Sequence, residues 1–95
     1  MQAAIQRLVE LGPLPDAQSA KLASIQAFEQ QLAQVQTPIS DEEARALVSL
    51  FGPDDCFGLA WTMLHLIESA ASWPIQDLLE NSAGEWIARL RERAS

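Results

Sequence analysis

The chain has 95 residues, 48% of them hydrophobic, and its thirteen acidic and six basic side chains give a net charge of −7. This length supports one domain, residues 1–95, and this apolar content excludes a disordered chain. A surface so acidic repels phosphate backbones, which argues against nucleic-acid binding and favours a basic protein as the partner.

The first half of the chain predicts two helices. Helically spaced apolar residues indicate a short first helix that ends at Gly12 and Pro13. Asp16 is expected to cap a second helix, which runs to about Gln36. At 100° per residue its apolar side chains fall within an arc of roughly 140°, the width of a core-facing stripe. They are Leu22, Ile25, Phe28, Leu32 and Val35.

The third helix has the clearest start signal. Ser40 and Glu43 form a capping box, in which the serine oxygen accepts from the Glu43 amide and the carboxylate reaches back. The acidic first turn also suits the positive end of the helix dipole. The helix is predicted over residues 40–51 and ends at Gly52.

A central helix is predicted over residues 54–71, capped by Asp54 or Asp55, because this stretch is apolar on nearly every side. A tight turn at residues 52–54 would make it an antiparallel hairpin with helix 40–51. We expect this helix to lie at the centre of the fold.

The rest of the chain predicts two shorter helical pieces. One follows Trp73 and Pro74, and a second capping box at Ser82 and Glu85 starts the last helix. No stretch alternates apolar and polar residues as a half-buried strand does. The sequence therefore predicts an all-α fold, a compact bundle of about five helices.

A narrow polar seam runs along the predicted central helix, within an arc of roughly 80°. Its members are Asp55, Gly58, Thr62, His65 and Ser69. Two interpretations stay open. The seam is the solvent side of the helix, or a close helix crossing at Gly58; alternatively, it is the floor of a groove for a partner or ligand.

Cys56 and His65 are not expected to form a catalytic pair. Nine residues on one straight helix separate them by roughly 180° around the axis and roughly 13 Å along it. One histidine and one cysteine cannot make an ordinary zinc site, and the acidic runs lack the spacing of a calcium loop. We expect no enzyme activity, no metal and no cofactor.

The single cysteine is typical of a reducing compartment, because it cannot form an intramolecular disulfide. The first twelve residues lack the apolar run of a signal peptide, and the longest apolar stretch, residues 56–67, is too short to span a bilayer. We therefore expect a cytoplasmic protein without a membrane segment.

In size, acidity and helicity the chain resembles small bacterial immunity and antitoxin proteins. The resemblance implies a stoichiometric inhibitor that covers a basic site on its partner with acidic side chains. The expected contacts come from two acidic helix starts and from a tryptophan at a helix–turn junction, since tryptophan is enriched at interface hot spots. They are Asp41, Glu42, Glu43, Asp54, Asp55 and Trp73.

A self-associating structural adaptor is the alternative function. It would form homo-oligomers through apolar surface left over from the core, such as Leu50 and Trp73. Salt distinguishes the two, because capture by acidic side chains weakens as salt rises and apolar association does not. The role of the last three arginines, Arg89, Arg91 and Arg93, stays open.

Overall fold

Six α-helices and no strand make up the fold, and the computed structural model describes residues 1–95. In chain order the helices are α1 (Ala3–Leu11), α2 (Leu22–Gln34), α3 (Asp41–Val48), α4 (Leu59–Glu68), α5 (Gln76–Asn81) and α6 (Glu85–Ala94). The all-α prediction is therefore confirmed. None of these helices combines the length and the apolar character that crossing a membrane requires.

Helix α4 lies at the centre, as predicted, because it contacts α2, α3 and α6. Its inward residues are Leu59, Ala60, Met63, Leu64 and Ile67. They belong to one cluster of 22 buried residues to which all six helices contribute. Burying one large apolar side chain contributes about 1.5–3 kcal/mol, and α4 has more buried residues than any other helix.

Helices α3 and α4 run antiparallel, as the sequence predicts. Just before α3, the N–H of Ile39 donates to the hydroxyl of Ser69, which follows α4, at 3.4 Å. The N–H of Ser72 donates to the carboxylate of Asp41, the first residue of α3, at 3.3 Å. The start of α3 therefore lies beside the end of α4.

The predicted start of the central helix at residue 54 is wrong, because α4 begins only at Leu59. Cys56, Phe57 and Gly58 have φ angles of 45°, 56° and 87°, in the left-handed region that a right-handed helix excludes. The segment between α3 and α4 thus spans residues 49–58, and no tight turn at 52–54 joins the two helices.

The predicted caps have mixed outcomes. The capping box of α3 is confirmed, with Glu43 N–H donating to Ser40 Oγ at 3.1 Å and Ser40 N–H donating to the Glu43 carboxylate at 2.9 Å. The second box is wrong, since Gly84 caps α6 without a side-chain bond. Asp16 does not cap α2 but a separate turn, where it accepts from the Ser19 N–H at 2.8 Å.

A close helix crossing at Gly58, one of the open interpretations of the seam, does not occur, and the close backbone approach is at Gly52. A Cβ atom at Gly52 would overlap the carbonyl oxygen of Leu14, whose N–H donates to the Leu50 carbonyl at 2.9 Å. A Cβ atom at Gly58 would meet nothing within 4 Å. Residues 49–58 therefore pack against the segment that connects α1 and α2.

Candidate functional site

The three acidic residues that start α3 have different environments. Glu42 is exposed, and Asp41 is half-buried and accepts a hydrogen bond from the Ser72 N–H. Glu43 is only 5% exposed and accepts hydrogen bonds from the N–H groups of Gln2 at 2.8 Å and Ser40 at 2.9 Å. Glu43 thus points into the protein, and the structure gives it a structural role in place of the expected partner contact.

Asp54 and Asp55 also differ from each other. Asp54 is half-buried, and its two oxygens accept from the N–H groups of Cys56 at 2.9 Å and Ala17 at 3.0 Å. These bonds hold the left-handed turn against the segment after α1. Asp55 is exposed, and no hydrogen bond joins its carboxylate to the rest of the chain. Asp55 is the free carboxylate of the pair.

The two acidic clusters are not brought together. Because α3 and α4 are antiparallel, Asp41 lies beside the end of α4, whereas Asp55 lies before its start. Helix α4 has ten residues and is about 15 Å long, so the two clusters define separate surfaces. Trp73 belongs to the first surface, where it is half-buried, packs on the core and follows Ser72.

Two exposed aromatic residues were not predicted as contacts. Phe57 is 66% exposed and Trp61 is 37% exposed, although the sequence places both in a central apolar helix. The left-handed turn buries Cys56 completely and leaves Phe57 outside. A signal was present in the sequence, since two glycines and a proline within residues 52–58 are more typical of a loop than of a helix.

Trp61 is held in a fixed position by an aromatic cluster. Its ring packs edge-on against Trp86 with a centroid separation of 5.0 Å, and Phe51 stacks on Trp86 at 5.6 Å. The guanidinium of Arg89 lies 5.1 Å from the Trp61 ring centroid and 5.0 Å from that of Trp86. Arg89 also pairs with Glu85 at 2.8 Å.

The other two arginines of α6 make contacts within the protein as well. Arg91 donates to the carbonyl oxygens of Leu79 and Ser82, both at 2.7 Å, and so satisfies the end of α5. Arg93 donates to the Glu68 carboxylate at 2.7 Å. Burial alone would raise the pKa of Glu68, but the bonds from Arg93 and His65 outweigh it and lower that pKa.

The polar seam is a solvent face only in part, because Ser69 is half-buried and accepts from the Ile39 N–H. Thr62 and His65 are exposed, the Thr62 hydroxyl donates to the Gly58 carbonyl at 3.4 Å, and His65 contacts Glu68 at 3.3 Å. Asp55 precedes the helix and does not belong to its face. Five surface cavities, of about 240 to 420 Å³, are lined by no seam residue and by none of the six predicted contacts.

Cys56 lies in an environment that disfavours its thiolate. Burial raises the pKa of the Cys56 thiol, and the negative charges of Asp54, Asp55 and Asp16 raise it further. No hydrogen bond joins Cys56 to His65, and no group of three or more His, Cys, Asp or Glu side chains is arranged to hold a metal ion. The arrangement offers charged and aromatic surface for binding.

Comparison with known proteins adds no relative. No protein-family model, no curated protein and no solved structure matches the chain. The function therefore has to be argued from the charges and the exposed side chains of the molecule itself.

Proposed function

We propose that the chain is a small acidic protein-binding module that captures a basic partner protein. In its more specific form, the proposal is a cytoplasmic bacterial inhibitor of the immunity type that blocks its partner stoichiometrically. The observation that carries it is the distribution of ion pairs. Only three of the thirteen acidic residues pair with a lysine or arginine: Asp77, Glu85 and Glu68.

The basic residues are mostly engaged inside the molecule. Three arginines form those ion pairs, and Arg91 is bound to backbone carbonyls, which leaves Arg7 and Lys21 without an internal partner. Ten carboxylates without a cationic partner therefore dominate the electrostatic field. Such a field raises the association rate of a basic protein and repels acidic ones.

The test uses the proteins encoded next to this chain in its genome, since an immunity protein is normally encoded beside its toxin. Each basic neighbour is expressed, and its association with the wild-type chain is measured at several salt concentrations. Reversal of three reachable carboxylates, Asp41, Glu42 and Asp55, to lysine should slow association at least about tenfold, because rim charges mainly govern the on-rate.

A matched control reverses Glu10, Glu29 and Glu80 to lysine. These exposed residues lie on α1, α2 and α5 and change the net charge equally. An equal loss in both triple variants would mean that net charge alone drives association and that the named residues form no interface. Circular dichroism checks that both variants keep the fold.

The self-associating adaptor loses one of its two expected contacts, because Leu50 is only 3% exposed. Trp73 keeps part of its surface. If the chain captures no neighbour and forms salt-independent oligomers in sedimentation experiments, the inhibitor proposal fails and the adaptor replaces it.

A further inference from the structure

Six large apolar side chains of the molecule are exposed to solvent. They are Met1, Val9, Leu11, Leu22, Phe57 and Trp61. Only the last two are aromatic, and they lie four residues apart, across the start of α4. Phenylalanine and tryptophan are enriched in protein interfaces, and tryptophan is enriched among binding hot spots, whereas leucine is under-represented among hot spots. These two residues are therefore the strongest candidates for an interface anchor.

The core does not require an aromatic side chain at position 57. Phe57 is 66% exposed, while the side chain of the neighbouring Cys56 is completely buried in the core. Asp54 holds the turn through bonds to Cys56 and Ala17, so the backbone geometry does not depend on the phenyl ring. A φ of 56° also favours glycine or asparagine over a bulky residue. Stability alone thus gives no reason for phenylalanine here.

The turn that carries Phe57 contains two negative charges, whereas the charge beside Trp61 is that of an arginine. Asp55 is exposed and unpaired, and Asp54 joins this turn to the segment that contains Asp16. The cation nearest to Trp61 is Arg89, whose charge is balanced by Glu85 at 2.8 Å. A second copy of the chain would bring the same negative charges against them, so charge complementarity favours a basic occupant.

We propose that Phe57, Trp61 and Asp55, here called the Phe57 surface, bind a basic protein segment that carries large apolar side chains. The aromatic rings take the apolar side chains, and Asp55 meets the lysine or arginine beside them. This inference rests on the proposed function, and it selects the surface before α4 over the one at the start of α3.

The test measures binding of two synthetic peptides at low salt. One is an arginine-rich peptide that contains leucines, and the other has serines in place of those leucines. Fluorescence anisotropy of the labelled peptides gives the affinity, and amide chemical shifts of the isotope-labelled chain locate the contact. We expect the leucine peptide to bind more tightly and to shift the signals of residues 54–62.

Two variants separate the surface from general charge. Phe57→Asn removes the ring in a conformation that asparagine tolerates, and it should weaken binding of the leucine peptide about tenfold, the loss typical of an anchor residue. Leu22→Asn is the control, because Leu22 is 69% exposed and lies on α2 beside Lys21. The affinity of Leu22→Asn for the leucine peptide should match that of the wild-type chain.

Three results would overturn the inference. Equal binding of both peptides, unchanged in Phe57→Asn, would mean that charge alone acts; the proposed function would then stand without this surface. Binding of neither peptide would also reject the surface, and capture of a neighbouring gene product would then decide the proposed function separately. Oligomers that dissociate in Phe57→Asn would identify a second copy as the occupant.

Discussion

The carboxylate of Glu43 accepts hydrogen bonds from the N–H of Gln2 at 2.8 Å and from that of Ser40 at 2.9 Å. One side chain therefore joins the residue before α1 to the residue before α3. The side chain of Gln2 extends this link, because it accepts from the Gln36 N–H at 2.9 Å and donates to its carbonyl at 3.1 Å. The buried carboxylate of Glu43 therefore helps to hold the start of α1 in position.

Replacing Glu43 with glutamine should destabilise the fold by about 1–2 kcal/mol at neutral pH, since one of two partly buried N–H donors would lose its acceptor. Burial alone would raise the pKa of Glu43, but the bonds from Ser40 and Gln2 outweigh it and hold the pKa below its ordinary value. The folded pKa is thus lower than the unfolded one. The carboxylate stabilises the fold fully above that unfolded value, and its contribution disappears as pH falls through the folded pKa.

Urea unfolding of wild type and Glu43→Gln at neutral and acid pH measures this difference. The gap between the two free energies of unfolding should narrow as the pH falls below the ordinary pKa of a glutamate. Glu42→Gln is the matched control, because Glu42 is exposed in the same helical turn and should change stability by less than about 0.5 kcal/mol. A gap that does not change with pH would contradict the role of the charge.

Two glycines of one segment should respond differently to alanine. At Gly52 a Cβ atom would overlap the Leu14 carbonyl, so Gly52→Ala must move backbone and should cost about 2–3 kcal/mol. At Gly58 the space is open and only the left-handed φ of 87° opposes a side chain, so Gly58→Ala should cost about 1 kcal/mol. Denaturant midpoints of the two variants provide the comparison, and the reverse order would contradict the close approach at Gly52.

The periodic parts of the fold were predictable from sequence, and the backbone conformation of the irregular turn before α4 was not. Helices α3 and α4 follow from apolar periodicity and from the capping box at Ser40, but the tight turn from which their antiparallel pairing was predicted is absent. The left-handed residues Cys56 and Phe57 could not be foreseen, because neither residue type favours φ above zero. Their conformation depends on a tertiary hydrogen bond that the Ala17 N–H donates to the Asp54 carboxylate, which local sequence does not encode.

The candidate surface was only partly predictable for the same reason. Acidic helix starts are visible in sequence, but burial is not, so Glu43 and the exposed Glu42 look alike. A shift of one turn in the start of α4 also decides whether Phe57 faces the core or solvent. The sequence could therefore indicate binding through acidic side chains, while the exposure of Phe57 and Trp61 became visible only in the structure.

Arg89 should stabilise the fold mainly through the two tryptophans and less through its ion pair. Its guanidinium lies about equally close to the rings of Trp61 and Trp86, whereas the pair with Glu85 is solvent-exposed. Arg89→Gln should cost about 1–2 kcal/mol, and Glu85→Gln about 0.5 kcal/mol or less. Thermal unfolding measures both, and equal losses would mean that the ion pair is the main contribution.

The thiol of Cys56 should not react in the folded protein. It is completely buried, and burial together with nearby carboxylates raises its pKa. A chromogenic thiol reagent at neutral pH should therefore modify the chain only at the rate of unfolding, and urea should make the reaction fast. Rapid modification of the native chain, with circular dichroism unchanged, would contradict the burial of Cys56.

Replacing Phe57 with asparagine should increase stability, even though it removes an aromatic side chain. A bulky residue in the left-handed region costs about 1–2 kcal/mol, and asparagine avoids part of that cost through local hydrogen bonding. The phenyl ring is 66% exposed, so little buried apolar area is lost. We expect a net gain of about 0.5–1 kcal/mol in the free energy of unfolding.

Phe57→Ala is the control for this gain, because alanine removes the ring but keeps the unfavourable φ. Its stability should equal that of the wild type or fall slightly, and urea midpoints of the three proteins would show the order. If Phe57→Asn is less stable than Phe57→Ala, the ring or the backbone at position 57 contributes to the fold. Phenylalanine would then be explained by stability, and the binding role of the Phe57 surface would lose one of its supports.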